Sequence, residues 1–564
     1  MFQSKAILTQ DIWRRDHDLV APASKRDIAI HYERAKSMCR HSGLTQHDIE
    51  DLTPKFWNFH FDPNGVIAAR DMTAFIIAAI HINLCIGTLC SFVKERPDLQ
   101  DLLDKLLNFD ICGEFMLTEV GHGLDARNLE TTATLLPDGS YDLDTPHAGA
   151  SKAMPPTTPY CEMPRVAIVF ARLMIDGQSH GVKPFLVFLS DAGGMRPGIT
   201  SRILPTRPGT KPLDHSLTTF SHVDLPSSAL LGSSSKPKND RVEFLRQIWR
   251  IAAGTLSLSI MGISAIKVST RIAAVYSERR TITSTDGQAR KKIMSFTTQQ
   301  HPIVEGWVHG KVLHAFAHWT IDMCPDLTDP MQHALATIFK ATVVRASQVL
   351  RSLAERCGWQ GLFAYNQISE LDLTFHGNSI AEGDTLVLCI RFMSELLGGK
   401  LDLPQARNRS SRLAQREEDL LADMKSRLER VGGYEEHRGA SFDRHILPRC
   451  RLLAEAIGNR MAYEAAENAG LSLDVLLLYE RICLCEDLDP MPAPGRAVQA
   501  YAPSRASESY NAVLAQIRSE SASQSDLDDY VTAPITSDES WESFMNGLRA
   551  FRNLDEVPAL PSKL

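Results

Sequence analysis

Two stretches of the chain carry residue types that can do chemistry. Glu382-Gly383-Asp384-Thr385 stands at the foot of an apolar run over residues 386–397. A carboxylate held in a poorly hydrated pocket has its pKa raised toward the working range and can serve as a general base. The same glutamate can equally be a helix-entry acid, because a carboxylate near a helix N-terminus is favourable in itself. The second stretch, residues 115–134, reads as two extended segments with Thr118, Glu119 and Gly121-His122-Gly123 at the turn between them. There, backbone amides and a hydroxyl could approach a planar polar ligand, since glycine has no Cβ to hold it off. An ordinary β-hairpin with a Gly-rich turn has the same pattern.

The elements that must position these residues follow from periodicity. From 28 to 110, apolar residues recur at three- and four-residue spacing with few Gly or Pro, which predicts an α-rich N-terminal domain. From 115 to 232 the texture changes to short runs of Val, Ile, Phe and Leu, such as 166–174 and 182–189, parted by Asp-Gly, Gly-Gly and Pro-Gly turns, which predicts a β-domain. A low-complexity joint at 233–238, Ser-Ser-Ser-Lys-Pro-Lys, leads into four or five long amphipathic helices between 241 and 398. A charged helical stretch at 404–430, two apolar helices in 445–486, a weaker helix in 504–528 and a short one around 541–551 complete the chain. The reading is a multidomain α+β protein with segments at 1–112 (α-helical), 113–235 (β-barrel or sandwich), 236–400 (helical bundle with Glu382) and 401–564 (a further, shortened helical domain).

Composition narrows the function classes. A chain of 564 residues is long for one hydrophobic core, so three or four domains or layers are expected. The net charge of -8, with no long basic run, argues against nucleic acid as the main partner. Eleven cysteines lie scattered from Cys39 to Cys485 without metal-ligand spacing, so neither a zinc site nor a disulfide framework is expected, although Cys483 and Cys485 fall close together on one predicted helix. Residues 1–20 carry Lys5, Arg14 and Arg15 instead of an apolar core, so no signal peptide is expected. The most apolar stretch, 75–92, is interrupted by His81 and Asn83 and reads as a buried helix, so no membrane span is expected. The terminal Ser562-Lys563-Leu564 is a receptor-read address for the peroxisome, which implies an import receptor as partner.

Three ordered blocks resemble the flavin-facing β-domain of the peroxisomal acyl-CoA oxidases, a group within the acyl-CoA dehydrogenase superfamily. They are Thr118-Glu119-x-Gly121-His122-Gly123, Leu129-Glu130-Thr131-Thr132-Ala133-Thr134, and Thr145-Pro146-His147-x-Gly149-Ala150-x-Lys152. The resemblance continues through residues 166–191, with Pro197-Gly198-Ile199 beyond, and covers roughly residues 110–400. It implies an enzyme that introduces an α,β double bond into an acyl-CoA. Such a reaction needs a base for the α-proton and an acceptor for the β-hydride, and no side chain accepts hydride, so the resemblance implies FAD, with dioxygen as oxidant and hydrogen peroxide as product. It places the base at Glu382 and flavin contacts at Thr118, Gly121, Gly123, Gly149 and Lys152, and also at Asp384 and Thr385 beside the base. Tyr276-Ser277-Glu278-Arg279-Arg280 resembles the family segment whose arginine reaches the pyrophosphate from the neighbouring subunit, a role Arg280 would fill in a homodimer. Phe296-Thr297-Thr298-Gln299-Gln300 resembles the helix whose glutamines, here Gln299 and Gln300, lie near the adenosine portion.

The departures concern the substrate. Where the family has two tryptophans after the lysine, this chain has Ala153-Met154 and a Pro-rich stretch expected to be a loop. Cys357-Gly358-Trp359-Gln360-Gly361 replaces a Gly-His pair beside the substrate, so Trp359 and Gly361 are candidate substrate contacts and the Trp359 bulk is expected to narrow the pocket. Arg207 to His215 keeps only a glycine and an aspartate of its family counterpart. Two alternatives therefore stand beside a fatty acyl-CoA oxidase. One is a flavoenzyme of the same fold acting on an unusual, for example polyketide-derived, acyl thioester in specialised metabolism. The other is a non-catalytic relative.

Overall fold

The structure, a computed structural model, describes residues 23–550 apart from 62–65, 162, 284–286, 288, 325–328, 487 and 489–502. The expectations for the two ends of the chain, including the Ser562-Lys563-Leu564 address, lie outside the described residues.

The N-terminal segment is helical from Lys25–Ser42 to Gln100–Leu107. The apolar stretch forms one continuous helix, Met72–Ala79, Ile80–Ile86 and Gly87–Val93, with a π-helical middle. It and Arg250–Arg279 are long and apolar enough to cross a bilayer, and most of each is buried inside the fold. The two polar residues that interrupt the run are docking points. His81 Nδ1 accepts from the Gly113 amide (2.9 Å), its Nε2 donates to Leu106 O (2.9 Å), and Asn83 Nδ2 donates to Arg250 O (3.2 Å). A buried polar side chain is tolerated where it answers a backbone group that would otherwise go unpaired.

The β-domain runs from β1 (Cys112–Met116) to β10 (Val223–Leu225). One sheet has the order β10-β3-β2-β5-β6-β7, with β3 at Tyr141–Asp144, β2 at Thr132–Leu135, β5 at Arg165–Ile175, β6 at Gln178–Asp191 and β7 at Gly194–Met195. The first half of β5 also pairs in parallel with β1. A smaller sheet joins β4 (Lys152–Pro156), β9 (His215–Phe220) and β8 (Ile199–Ile203). Strands β5 and β6 meet at Asp176-Gly177, both at positive φ (50° and 72°), as a two-residue hairpin demands. Strand β5 is apolar without alternation because both its faces are covered. Val166, Ile168 and Phe170 join the core shared with the helices, while Ala167, Val169, Ala171 and Leu173 join a second core between the sheets.

Two local expectations are corrected. The 115–134 stretch is not a hairpin: β1 and β2 do not pair with each other, and each runs parallel to a different half of β5. The Pro-rich 152–156 stretch is strand β4 and not a loop; it pairs antiparallel with β9, with a register shift between Ala153 and Pro156. The two prolines fall at that irregularity, where a missing N–H costs no ladder bond.

The helical half is organised around Arg250–Arg279, thirty residues buried on most of its surface. Thr297–Met323, Asp329–Ala346, Val349–Arg356 and Ile368–Asn378 pack on it, and Thr385–Leu397 packs on Asp329–Ala346. Beyond these, Leu447–Asn468 packs against Thr297–Met323 and the charged helix Arg412–Arg430. Pro503–Ala522 and Asp538–Gly547 follow, and this tail is tied back to the central helix by Arg271, whose Nε and Nη2 both donate to Asp528 at 2.8 Å. Cys483 ends its helix and Cys485 lies beyond it; both are free thiols.

Candidate active site

Glu382 sits in the short connection between Ile368–Asn378 and Thr385–Leu397, at φ 55°, followed by Gly383 at φ 97°. A non-glycine residue in the left-handed region is held there by its surroundings at some cost. Here the holding is visible. Thr255 Oγ1 donates to Glu382 O (3.0 Å), Lys340 Nζ donates to both Ala381 O and Gly383 O (2.6 Å each), and the Thr385 amide and hydroxyl donate to Ser379 O (2.9 and 2.7 Å). The turn folds the carboxyl inward against Gly254 of the central helix, where any Cβ would overlap Oε1 and Oε2. Oε2 is buried and has no hydrogen-bond partner among the described residues. Burial lifts the carboxyl to about pH 8, against the pull of Lys340 and Arg250. Arg250 is itself fully buried, donating from Nε to Asn83 O (3.0 Å) and from Nη1 to Ile49 O (2.9 Å), while its Nη2 has no partner. A carboxyl with one oxygen buried and unsatisfied, acted on by two cations, is the arrangement expected of a group that takes up a proton.

The second group gathers around Glu119. Its carboxylate is buried and accepts from Glu130 N (2.7 Å), Thr131 N (2.9 Å), Thr131 Oγ1 (2.6 Å) and Lys152 Nζ (3.0 Å). Burial alone would raise its pKa, but Lys152 and these donors hold it below the usual glutamate range. Around this knot the extended chain alternates, so Thr118 and Val120 face outward on either side of Glu119. The Ala153 amide donates to Thr118 O (2.9 Å) and the Gly121 amide to Gly149 O (2.8 Å), so Thr118, Gly121, Gly149 and Lys152 are brought together. Nothing lies within 4 Å of where a Cβ at Gly123 would stand, so its backbone is open to approach. Two sequence assignments change. The Lys152 ammonium is enclosed, bonded to Glu119, Leu117 O and Phe170 O, and so braces the loop instead of facing a ligand. The Gly121 amide is committed to Gly149. Substituting Glu119 by Ala strands the Lys152 charge inside the protein. We expect a loss of about 3–5 kcal/mol in stability, read as a lowered urea midpoint, because breaking a buried pair leaves one charge uncompensated.

Behind β4 lies a second buried ionic knot. Arg165 donates to Glu114 (2.6 Å), Pro156 O (2.7 Å) and Thr158 O (2.8 Å), while Asp214 accepts from Tyr32 Oη (2.7 Å) and Thr158 N (3.1 Å). It fixes the strand that stands where the resemblance implied tryptophans, and leaves Met154 half exposed at φ 76°.

The remaining assignments divide. Arg280 caps the central helix with its side chain exposed. Gln299 Nε2 donates to Ser277 Oγ and Arg356 O (2.8 Å each), and Gln300 is buried between Met294 O and Tyr510 Oη, so both amides serve packing. Asp384 Oδ1 caps the next helix by accepting from Leu386 N and Val387 N (3.0 and 3.1 Å). Thr385 is likewise turned inward onto Ser379 O. Trp359 is 59% exposed, with its indole packed edge-on against Phe363 and Trp541, so it belongs to a surface aromatic patch beside Asp538–Gly547. Gly361 is required for packing, since a Cβ there would overlap Ala354 O. The glutamate loop and the Thr118 loop are linked through the fold: β1 packs on Ile80–Ile86, which packs on the central helix that carries Gly254.

Sequence reasoning passed over Gly254, Thr255, Arg250 and Lys340. Gly254 left one readable sign, a glycine inside an apolar helical run, which costs about 1 kcal/mol against alanine and so points to a packing need.

No family model matches the chain. Among curated proteins it is 25% identical over 342 residues to acyl-coenzyme A oxidase acox-1.3 of Caenorhabditis elegans, covering 57% of this chain and 51% of that one. It is 25% identical over 397 residues to acyl-coenzyme A oxidase 3 of Yarrowia lipolytica, covering 63% and 55%. The chain spans about half the length of the curated relatives it matches. Among solved structures, acyl-CoA oxidase 1 from Yarrowia lipolytica superposes with a TM-score of 0.72 at 18% identity, covering 99% of this chain and 90% of that one. Caenorhabditis elegans acyl-CoA oxidase-2, bound with FAD, ascaroside-CoA and ATP, superposes at 0.67 and 16%, covering 98% and 96%.

Proposed function

From its likeness to the acyl-CoA oxidases in sequence and in fold, we propose that this chain is a FAD-dependent acyl-CoA oxidase, forming an α,β double bond in an acyl thioester with dioxygen as oxidant and hydrogen peroxide as product. The observation that carries this reading is the Glu382 carboxyl, raised to about pH 8 against a bare glycine, with Oε2 buried and without a hydrogen-bond partner among the described residues. Glu382 takes the proton from the α carbon. Its backbone amide donates to the thioester carbonyl and so stabilises the charge that develops there. Arg250 and Lys340 keep part of the carboxyl ionised, and Gly254 lets it lie flush on the helix. FAD, when bound, supplies the acceptor for hydride from the β carbon. The residues that suit its binding are the outward Thr118 hydroxyl, the open backbone at Gly123, Gly149 and the exposed Arg280 guanidinium, the last reaching across a homodimer. Peroxisomal location is part of the same reading, because two curated relatives carry that location in their names.

The test is the visible spectrum of the purified protein before and after an acyl-CoA is added in air. A flavin spectrum that bleaches, with peroxide released, is expected. A colourless protein that FAD does not reconstitute overturns the reading in favour of a non-catalytic relative. Ala153 and the half-exposed Met154, standing where the family has tryptophans, favour a second reading that differs only in substrate, an unusual acyl thioester. Peroxide release across a panel of straight-chain acyl-CoAs separates the two.

A further inference from the structure

We infer that Lys340 is a positioning residue for Glu382, clamping the glutamate's turn through the two flanking carbonyls and so placing a positive charge beside that turn. The inference rests on the reading of Glu382 as the base, and deepens it. Lys340 lies on Asp329–Ala346, a different helix from those that bound the turn. It is buried, and its ammonium donates at 2.6 Å to Ala381 O and to Gly383 O, the carbonyls immediately before and after Glu382. Two peptide planes thus converge on one cation, which fixes the left-handed conformation that turns the carboxyl onto Gly254. Thr255 Oγ1 secures the carbonyl between them from the opposite helix.

Facing the Glu382 carboxyl are Lys340 and Arg250, the two groups that draw its pKa down against burial. Facing Lys340 are Glu382, Asp384 and Cys389, which support its charge, while burial pulls the ammonium down to about pH 8. Arg250 already donates to two carbonyls of the N-terminal helices, so its position is set by that packing. Lys340 acts on the turn itself, and its removal changes both the geometry and the charge at the base.

Three substitutions separate those two contributions. Lys340→Gln keeps an amide donor for the carbonyls and loses the charge; Lys340→Arg keeps the charge; Lys340→Met loses both. The first measurement is the pH titration of the Glu382 carboxyl in the purified flavoprotein by infrared difference spectroscopy, with its band identified as the one missing from Glu382→Gln. An opposite charge close by lowers a carboxyl pKa by about 1–3 units. We therefore expect the midpoint to rise by about one unit or more in the Gln and Met variants and to hold in the Arg variant. An unmoved midpoint in folded Lys340→Gln overturns the inference, as does an equal rise in Lys340→Arg. If Lys340→Met does not fold, the Gln and Arg pair still decides. The second measurement is turnover with an acyl-CoA. Lys340→Met is expected to lower kcat with KM little changed, and Lys340→Arg to restore most of the loss; equal losses in both overturn the positioning role. Because the titration needs no substrate, it stands apart from the base assignment, which fails separately if Glu382→Gln still bleaches.

Discussion

Glu382→Gln will leave the protein yellow and stop its bleaching by an acyl-CoA, with a rate loss of about a thousandfold, within the range for removal of a general base. The amide is nearly the same size as the carboxyl, so the fit against Gly254 survives while the proton acceptor does not. Stopped-flow absorbance reads the loss, and bleaching at the parent rate would show that another group takes the proton. The parent enzyme should also show the base in its pH profile. With the carboxyl raised to about 8 by burial, the ionised fraction and hence kcat/KM climb about tenfold per pH unit below that value and level off above it. The same shift acts on stability. In the unfolded chain the group titrates near 4.5 and in the folded chain near 8, so the unfolded state sheds its proton first and stability declines as pH rises across that window. The Gln variant lacks this decline. Its melting temperature should match the parent's at about pH 4 and exceed it increasingly toward about pH 8.

Gly254→Ala is the second large effect. The added methyl would overlap both oxygens of the Glu382 carboxyl, so the side chain must swing off the helix. A displacement on the order of 1 Å at a reacting group costs about a hundredfold in rate, and overpacking a tight contact costs about 1–3 kcal/mol, partly offset by the better helix propensity of alanine. Gly262 on the same helix supplies the control, because its Cβ would overlap Phe375 and Val343 instead of the glutamate. Both variants should lose stability, and Gly254→Ala should lose much the more turnover. Equal turnover losses would mean that general strain in the helix, not the base, is responsible.

The fold was legible wherever a signal was local. Asp176-Gly177 between two β-branched runs announces the β5–β6 hairpin, and three- and four-residue periodicity marks the bundle. What escaped depends on partners distant in sequence. The parallel pairing of β1 and β2 with β5 leaves no turn signature, so 115–134 resembled a hairpin. Strand β4 hid behind two prolines that its bulge accommodates. At the site, Glu382 emerged from resemblance, since a glutamate before a helix is common. Lys340 and Gly254 act on it from two other helices, and no spacing rule links them to it. Asp384, Thr385, Lys152 and the two glutamines look like ligand contacts in a motif, and each also makes hydrogen bonds within the turn, the loop or the helices.

Strand β5 belongs to both hydrophobic cores, with alternate side chains in each. An element owned jointly in this way makes the β-domain and the N-terminal helices one thermodynamic unit, because peeling the sheet open would expose the helices' apolar surface at the same stroke. The loop around Thr118 springs from the end of β1, whose sole ladder partner among the described residues is β5. Its steadiness is therefore inherited from the whole unit, so a short polar loop takes its shape from the packing of strands and helices behind it.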